Sequence, residues 1–174
     1  MPACAPHIGF DALTEAALPL LKVWLKEPHV QLWWGDPERE IELMRQTIGN
    51  AAEQGFVVTV DSRPVGYIQC WRPAMYSDEA PWAVELEQKA IAIDMFIGAA
   101  RDTGKGLGVL IVRGFCARLF EEGADYLVID PDADNKFAIR AYQKAGFEPL
   151  RDYRTPDGVT HIMDLTKIRF QRTV

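Results

Sequence analysis

Cysteine is scarce and odd in number: Cys4, Cys70 and Cys116 stand far apart in the chain. That argues against a disulfide framework or a cysteine-rich zinc cluster and fits reduced thiols in a cytoplasmic protein. Histidine is equally rare, and His7, His29 and His161 show no metal-ligand spacing, so no catalytic metal is expected. No apolar run approaches the roughly 20 residues of a membrane helix, so no membrane partner is expected. The opening residues MPACAPHIGF lack the basic region and apolar core of a secretory signal, so export is not expected. Repeats, low-complexity tracts and linker-like stretches are also missing, which leaves residues 1–174 as one expected domain. Positive charge is in deficit, with 19 Lys and Arg against 25 Asp and Glu, a net charge of −6. That disfavours nucleic acid as a partner and suits a cationic one. What remains is an ordinary globular composition, 48% hydrophobic and 25% charged.

The most informative stretch is IAIDMFIGAARDTGKGLG, residues 91–108. Ile91, Ile93, Phe96 and Ile97 form an apolar run that reads as a buried strand. A loop with Arg101, Gly104, Gly106 and Gly108 follows, and LGVLIVRGFCARLF then shows helical spacing. A glycine-rich turn between a strand and a helix N-terminus is suited to an anion. Backbone N–H groups can approach phosphate oxygens there, and the helix dipole favours negative charge. The chain is therefore expected to bind a phosphorylated ligand.

Around this loop the coarse pattern is α/β. HIGFDAL reads as a strand, and TEAALPLLKVWLKE as an amphipathic helix with Leu18, Leu21 and Leu25 on one face. PHVQLWWGD reads as irregular, with Trp33 and Trp34 as packing anchors, and Pro37 opens a second helix running to about Glu53. FVVTVDSRPVGYIQCWRP reads as a hairpin turning at Asp61-Ser62-Arg63-Pro64, and residues 74–87 as a loop. YLVIDP is a further strand, and DADNKFAIRAYQKAGF a helix with Asp134 as N-cap and Gly146 as its stop. The end reads as a hairpin turning at Thr155-Pro156-Asp157-Gly158. The expected order is βααβββαβαββ, with a largely antiparallel N-terminal half.

Three phosphate sites could use such a loop. Nothing matches the Walker A pattern. Gly104-Lys105-Gly106-Leu107-Gly108-Val109 carries two glycines of a dinucleotide fingerprint, and Asp130 ends the next strand as a ribose-binding acid would. Val109 fills the third glycine position, however, and the unit sits mid-chain after a hairpin. The third pattern fits better. Arg101-x-x-Gly104-x-Gly106 resembles the pyrophosphate loop of the GCN5-related N-acetyltransferase (GNAT) superfamily, and the element order resembles its fold. Asn135 followed by AIRAYQKAGF is similar to the family's second signature.

Within that superfamily, WWGD, GYIQ, Ile93-Asp94, GKGLG, the segment from Asp130 to Asn135 and TPDG recur in the same order in aminoglycoside 6′-N-acetyltransferases. Part of the similarity extends to acyltransferases of hydroxylysine siderophore precursors. The resemblance implies a mixed central sheet and acetyl-coenzyme A as co-substrate. It also implies a cofactor site made of Phe96, Ile97, Arg101, Thr103, Gly104, Lys105, Gly106, Leu107, Gly108 and Asn135. By the same resemblance, Asp94 positions and deprotonates the reacting amine, and Tyr142 protonates the departing sulfur. Strand N–H groups near Phe96 would donate to the oxyanion.

The chemistry asks for the same groups. Acyl transfer from a thioester to an amine needs a base, oxyanion donors and an acid for the thiolate. Asp94 lies inside an apolar strand, where an unpaired carboxylate is costly, so it either lines a cleft or pairs with an Arg. Tyr142 packs in the core, donates its proton, or does both. Trp82, Glu85, Glu87, Asp130 and Asp157 fall in loops or strand ends and form the candidate acceptor site, where carboxylates suit a polycationic amine. Cys70 and Cys116 read as core residues, which disfavours an acyl-cysteine route. The expectation is an N-acetyltransferase working through a ternary complex, as a monomer or homodimer, on the 6′-amine of an aminoglycoside. A siderophore-type amine acceptor and a non-catalytic coenzyme A-binding domain are the alternatives.

Overall fold

The computed structural model describes residues 6–76, 78, 80–86, 89–156 and 158–173, with backbone alone at 84 and 85. Its strands are β1 (Ile8–Ala12), β2 (Glu53–Val60), β3 (Arg63–Trp71), β4 (Ile91–Ile97), β5 (Tyr126–Ile129), β6 (Glu148–Thr155) and β7 (Gly158–Thr166). They form a mixed sheet in the order β1-β2-β3-β4-β5-β7-β6. β1 runs antiparallel to β2, β5 antiparallel to β7, and β6 antiparallel to β7. β4 and β5 are parallel, pairing Ile91 with Leu127 and Ala92 with Val128. The helices are α1 (Leu18–Leu25), α2 (Pro28–Trp34), α3 (Pro37–Gln46), α4 (Leu107–Glu121), α5 (Lys136–Ala145) and α6 (Lys167–Gln171).

The chain forms two compact units, and both β4 and α4 contribute to each. The first comprises the chain up to Gln69 together with Met95–Ile111. Its core gathers Leu18, Leu21, Trp24 and Leu25 of α1 with Val30, Ile41, Met44, Tyr67 and Phe96. The Phe96 ring sits edge-on to Trp34 at 5.0 Å and to Trp24 at 6.4 Å, which fixes β4 beyond Met95. The second unit comprises Cys70–Asp94 and the chain from Val112 onward. One of its clusters packs Ala80, Trp82, Ala83, Ala90, Ala92, Val128 and Ile162.

Several local expectations are corrected. PHVQLWWGD is not irregular: it forms α2, with Pro28 in its first turn and Gly35 at φ 83° as its stop. Trp34 packs on Phe96, whereas Trp33 is 40% exposed. α3 ends at Gln46, because Thr47 caps it and Gly49 turns at φ 72°, so Glu53 begins a strand. The first hairpin turns on Asp61 and Ser62 alone. Both have positive φ (49° and 66°), the geometry of a two-residue primed turn, and Arg63 and Pro64 already belong to β3. Residues 74–87 are not plain loop, since 3₁₀ turns form at Pro73–Met75 and Pro81–Glu85. The N-cap of α5 is Asn135 and not Asp134. α6, capped by Thr166, was not expected. The helix count between β1 and β2 is therefore three, and a helix closes the chain.

Candidate active site

In the second unit the β4–β5 register sets up an acidic pair. The offset that pairs Ala92 with Val128 also places Asp94 beside Asp130, two residues further on and on the same sheet face. Each carboxylate is partly buried. Burial, followed by the charge of Asp94, pushes the Asp130 carboxyl well above the ordinary carboxylate range. The indole Nε1–H of Trp71 donates to Asp94 Oδ2 at 2.7 Å. An indole N–H can only donate, so it favours the ionised form of its acceptor. Of the two, Asp130 is the carboxyl whose proton is held more tightly than usual. Trp71 was not among the residues read as functional. It ends β3 and stands edge-on to Tyr76 at 5.8 Å and to Trp82 at 6.2 Å.

Tyr142 belongs to the same group. α5 is set by Asn135, whose side chain accepts from the Ala138 N–H at 3.1 Å, and by Gly146 in the left-handed conformation at φ 110°. The Tyr142 ring is buried and lies 6.3 Å from Phe147. Burial first, then the charges of Asp94 and Asp130, raise its hydroxyl pKa, so it keeps its proton at neutral pH.

The acceptor-site expectations divide. Asp130 lies in the cluster just described. Trp82 is buried against Ala92, Val128 and Ile162, and its carbonyl accepts from Arg151 Nη2 at 2.6 Å, so it is a wall residue of the core. Glu87, Asp157 and the side chain of Glu85 lie outside the described residues.

In the first unit, the segment after β4 turns tightly and leaves the backbone at Gly104 and Gly106 open. Arg101 and Asp102 lie in a 3₁₀ turn at Ala100–Asp102, and Thr103 Oγ1 closes it on the Ala100 carbonyl at 2.8 Å. Gly104 and Gly106 adopt φ 72° and 79°, which L side chains rarely take. A Cβ at either position would meet no protein atom within 4 Å, so the space above the backbone is open. Lys105 and Leu107 complete the turn, and α4 starts at Leu107 with Gly108 in its first turn. The Val109 and Leu110 N–H groups donate to the Gly106 carbonyl at 3.2 and 3.4 Å, which starts the helix directly on the glycine turn. Phe96 is buried in the core, and the Ile97 carbonyl is held by His29 Nε2 at 2.9 Å. Asn135, expected to touch the cofactor, belongs to the second unit, and its Oδ1 is engaged in capping α5.

Among the described residues, neither cysteine is exposed for covalent catalysis. Cys70 and Cys116 are both buried, and burial pushes the Cys116 thiol far up.

The model of the acetyltransferase (GNAT) domain matches residues 14–155. Aminoglycoside N(6')-acetyltransferase type 1 of Klebsiella pneumoniae is 32% identical over 174 residues, covering 92% of this chain and 84% of that protein. The crystal structure of aminoglycoside acetyltransferase AAC(6')-Ib with coenzyme A superposes with a TM-score of 0.85 at 30% identity, covering 96% of this chain and 99% of the other. The structure of the same enzyme with coenzyme A and kanamycin gives a TM-score of 0.84 at 29% identity, with the same coverage.

Proposed function

This chain belongs to the GNAT acetyltransferase family, an acyl-coenzyme A-dependent N-acetyltransferase, and we propose that it acetylates the 6′-amine of aminoglycosides by direct attack on acetyl-coenzyme A. The observation that carries the proposal is the Asp94–Asp130–Tyr142 cluster: two carboxyls and a protonated phenol grouped beside a tryptophan donor. Acetylation turns an ammonium into a neutral amide, and loss of that charge is how such a reaction would confer antibiotic resistance. Cys70 and Cys116 are free thiols, which favours action in the cytoplasm.

Acetyl-coenzyme A supplies the acetyl thioester. The open backbone at Gly104 and Gly106, with Arg101, Thr103, Lys105, Leu107 and Gly108, fits its pyrophosphate. Asp94 accepts a proton from the attacking amine, the N–H near Phe96 donates to the oxyanion, and Tyr142 gives its proton to the leaving sulfur.

The electrostatics couple these steps. The charge on Asp94 helps to hold the proton on Tyr142. Once Asp94 takes up the amine proton, that charge is gone and the phenol becomes a better acid as the thiolate departs. Asp130 takes a neighbouring ammonium of the polycation, and that positive charge lowers its raised pKa.

The test is coenzyme A release measured with kanamycin, ribostamycin, hydroxylysine, a simple diamine and no amine. Release with the two aminoglycosides above the other arms supports the proposal. Release with hydroxylysine or the diamine alone replaces the acceptor, and release with none makes the chain a coenzyme A-binding protein without this activity.

A further inference from the structure

The glycine loop carries a residue of the wrong charge for its task. Asp102 lies between Arg101 and Gly104, and its side chain is only 10% exposed. A carboxylate beside a bound pyrophosphate would repel it, and a buried carboxylate without a partner is costly in its own right. The structure resolves the conflict from a distant part of the chain. Arg63, the first residue of β3, forks onto Asp102, with Nη1 donating to Oδ2 at 2.8 Å and Nη2 donating to Oδ1 at 3.0 Å. The side-chain hydrogen bond from Arg63 comes first among the causes that hold the Asp102 carboxyl below its ordinary range, with Arg101 and Lys105 adding to it.

We propose that the Arg63–Asp102 pair is a positioning device for cofactor binding, cancelling the acid inside the loop and pinning the loop to the start of β3. The inference rests on the reading that this loop holds the pyrophosphate. Two features favour a positioning role over a surface ion pair. The contact is bidentate, which fixes direction as well as distance. One partner is buried while the other is half-exposed at 50%, so the arginine side can answer to charge arriving at the loop. Asp102 N–H also closes the 3₁₀ turn on the Ala99 carbonyl at 2.9 Å, which ties the ion pair to the backbone that leads into Gly104 and Gly106.

The two halves of the pair should fail differently. Arg63→Gln leaves a buried negative charge facing the pyrophosphate. Asp102→Asn loosens the loop and removes the repulsion. The double variant removes both charges. Coenzyme A affinity is measured by calorimetry at low and moderate salt, KM and kcat for acetyl-coenzyme A are measured separately, and thermal melts report folding. The expected result is an affinity loss of about tenfold or more for Arg63→Gln, equivalent to about 1.4 kcal/mol. Asp102→Asn should lose less, and the double variant should recover toward Asp102→Asn. KM should rise while kcat at saturation holds, because the proton-transfer groups lie elsewhere. If Arg63→Gln does not fold, Arg63→Lys keeps the charge and loses the fork, and the expected outcome is again a selective rise in KM. Unchanged affinity in Arg63→Gln or Arg63→Lys, or a double variant no better than Arg63→Gln, overturns the proposal. Gly106→Val serves as the control. If it folds and binds coenzyme A like the wild type, the pyrophosphate reading itself fails. If it weakens binding while the Arg63 variants do not, only the positioning role fails.

Discussion

Asp130→Asn should make the protein more stable at neutral pH and worse at its task. In the folded state Asp130 sits beside Asp94 with its pKa raised by burial and by that neighbour, against an ordinary value of 3.8. The folded chain thus binds the Asp130 proton more tightly than the unfolded chain does. As pH rises through 3.8 the unfolded state ionises first, so a penalty on folding appears, grows, and levels off above the folded-state pKa. Each pH unit in that window costs about 1.4 kcal/mol. For a chain of this length, 1 kcal/mol moves the melting midpoint by about 2–4 °C. Asparagine keeps the shape and cannot ionise. The variant should therefore melt above the wild type at pH 8, with the two melting curves converging as pH falls toward 4. Thermal melts from pH 4 to 8 read this directly. The same variant should raise KM for kanamycin more than it lowers kcat, since an ammonium contact is similar in ground and transition states. A melting difference that is equal at pH 4 and pH 8 would show a packing effect and refute the charge argument, as would a lower midpoint at pH 8.

The remaining expectations concern the other members of the cluster and one packing position. Asp94→Asn should abolish acetylation of kanamycin while coenzyme A affinity by calorimetry stays at the wild-type level; retained turnover would remove Asp94 from the proton path. Tyr142→Phe keeps the buried ring against Phe147 and deletes only the proton, so kcat should fall by about 10²–10⁴-fold with the fold intact. Wild-type turnover in that variant would leave Tyr142 as a packing residue. Gly98→Ala would bring its Cβ to 2.1 Å from the Trp24 indole, a rigid ring held in the core, and should destabilise by about 1–3 kcal/mol in chemical denaturation. An unchanged unfolding midpoint would show that the first unit yields at this point.

How much of this could be read from the sequence depended on whether the cause was local. The glycine loop was legible because Gly104 and Gly106 occupy positive-φ positions between an apolar strand and an amphipathic helix, and each of these signals lies within a few residues. α2 was not legible. It buries Val30 alone, and Glu27 caps it without a side-chain hydrogen bond, so neither a stripe nor a cap marks it. The end of α3 was overrun for the opposite reason. Ile48 packs against the core and continues an apolar pattern after the helix has stopped. At α5 two candidate caps stand side by side, and a third residue chooses between them. Asp132 Oδ1 accepts from the Asp134 N–H at 2.8 Å in a turn of its own, and Asn135 is left to cap Ala138.

The site divides along the same line. Asp94 stood out as an acid in an apolar strand, and Tyr142 as the tyrosine of a recurring helix signature, because each carries its signal alone. The properties that make them chemically useful come from partners far along the chain. Asp94 and Asp130 become one titrating pair only through a parallel register that joins β4 to β5 across α4, and no spacing rule in the sequence fixes that register. Trp71 is a strand-end aromatic until it is seen to donate to Asp94, and Asp102 is a misplaced acid until Arg63 is found on it. Trp82 shows the converse. An aromatic residue read as part of a loop invited a ligand role, yet it packs with Ala92, Val128 and Ile162 in a core cluster. Chemistry that needs two groups at once is decided by sheet register and loop anchoring, so it comes into view only when the strands are in place.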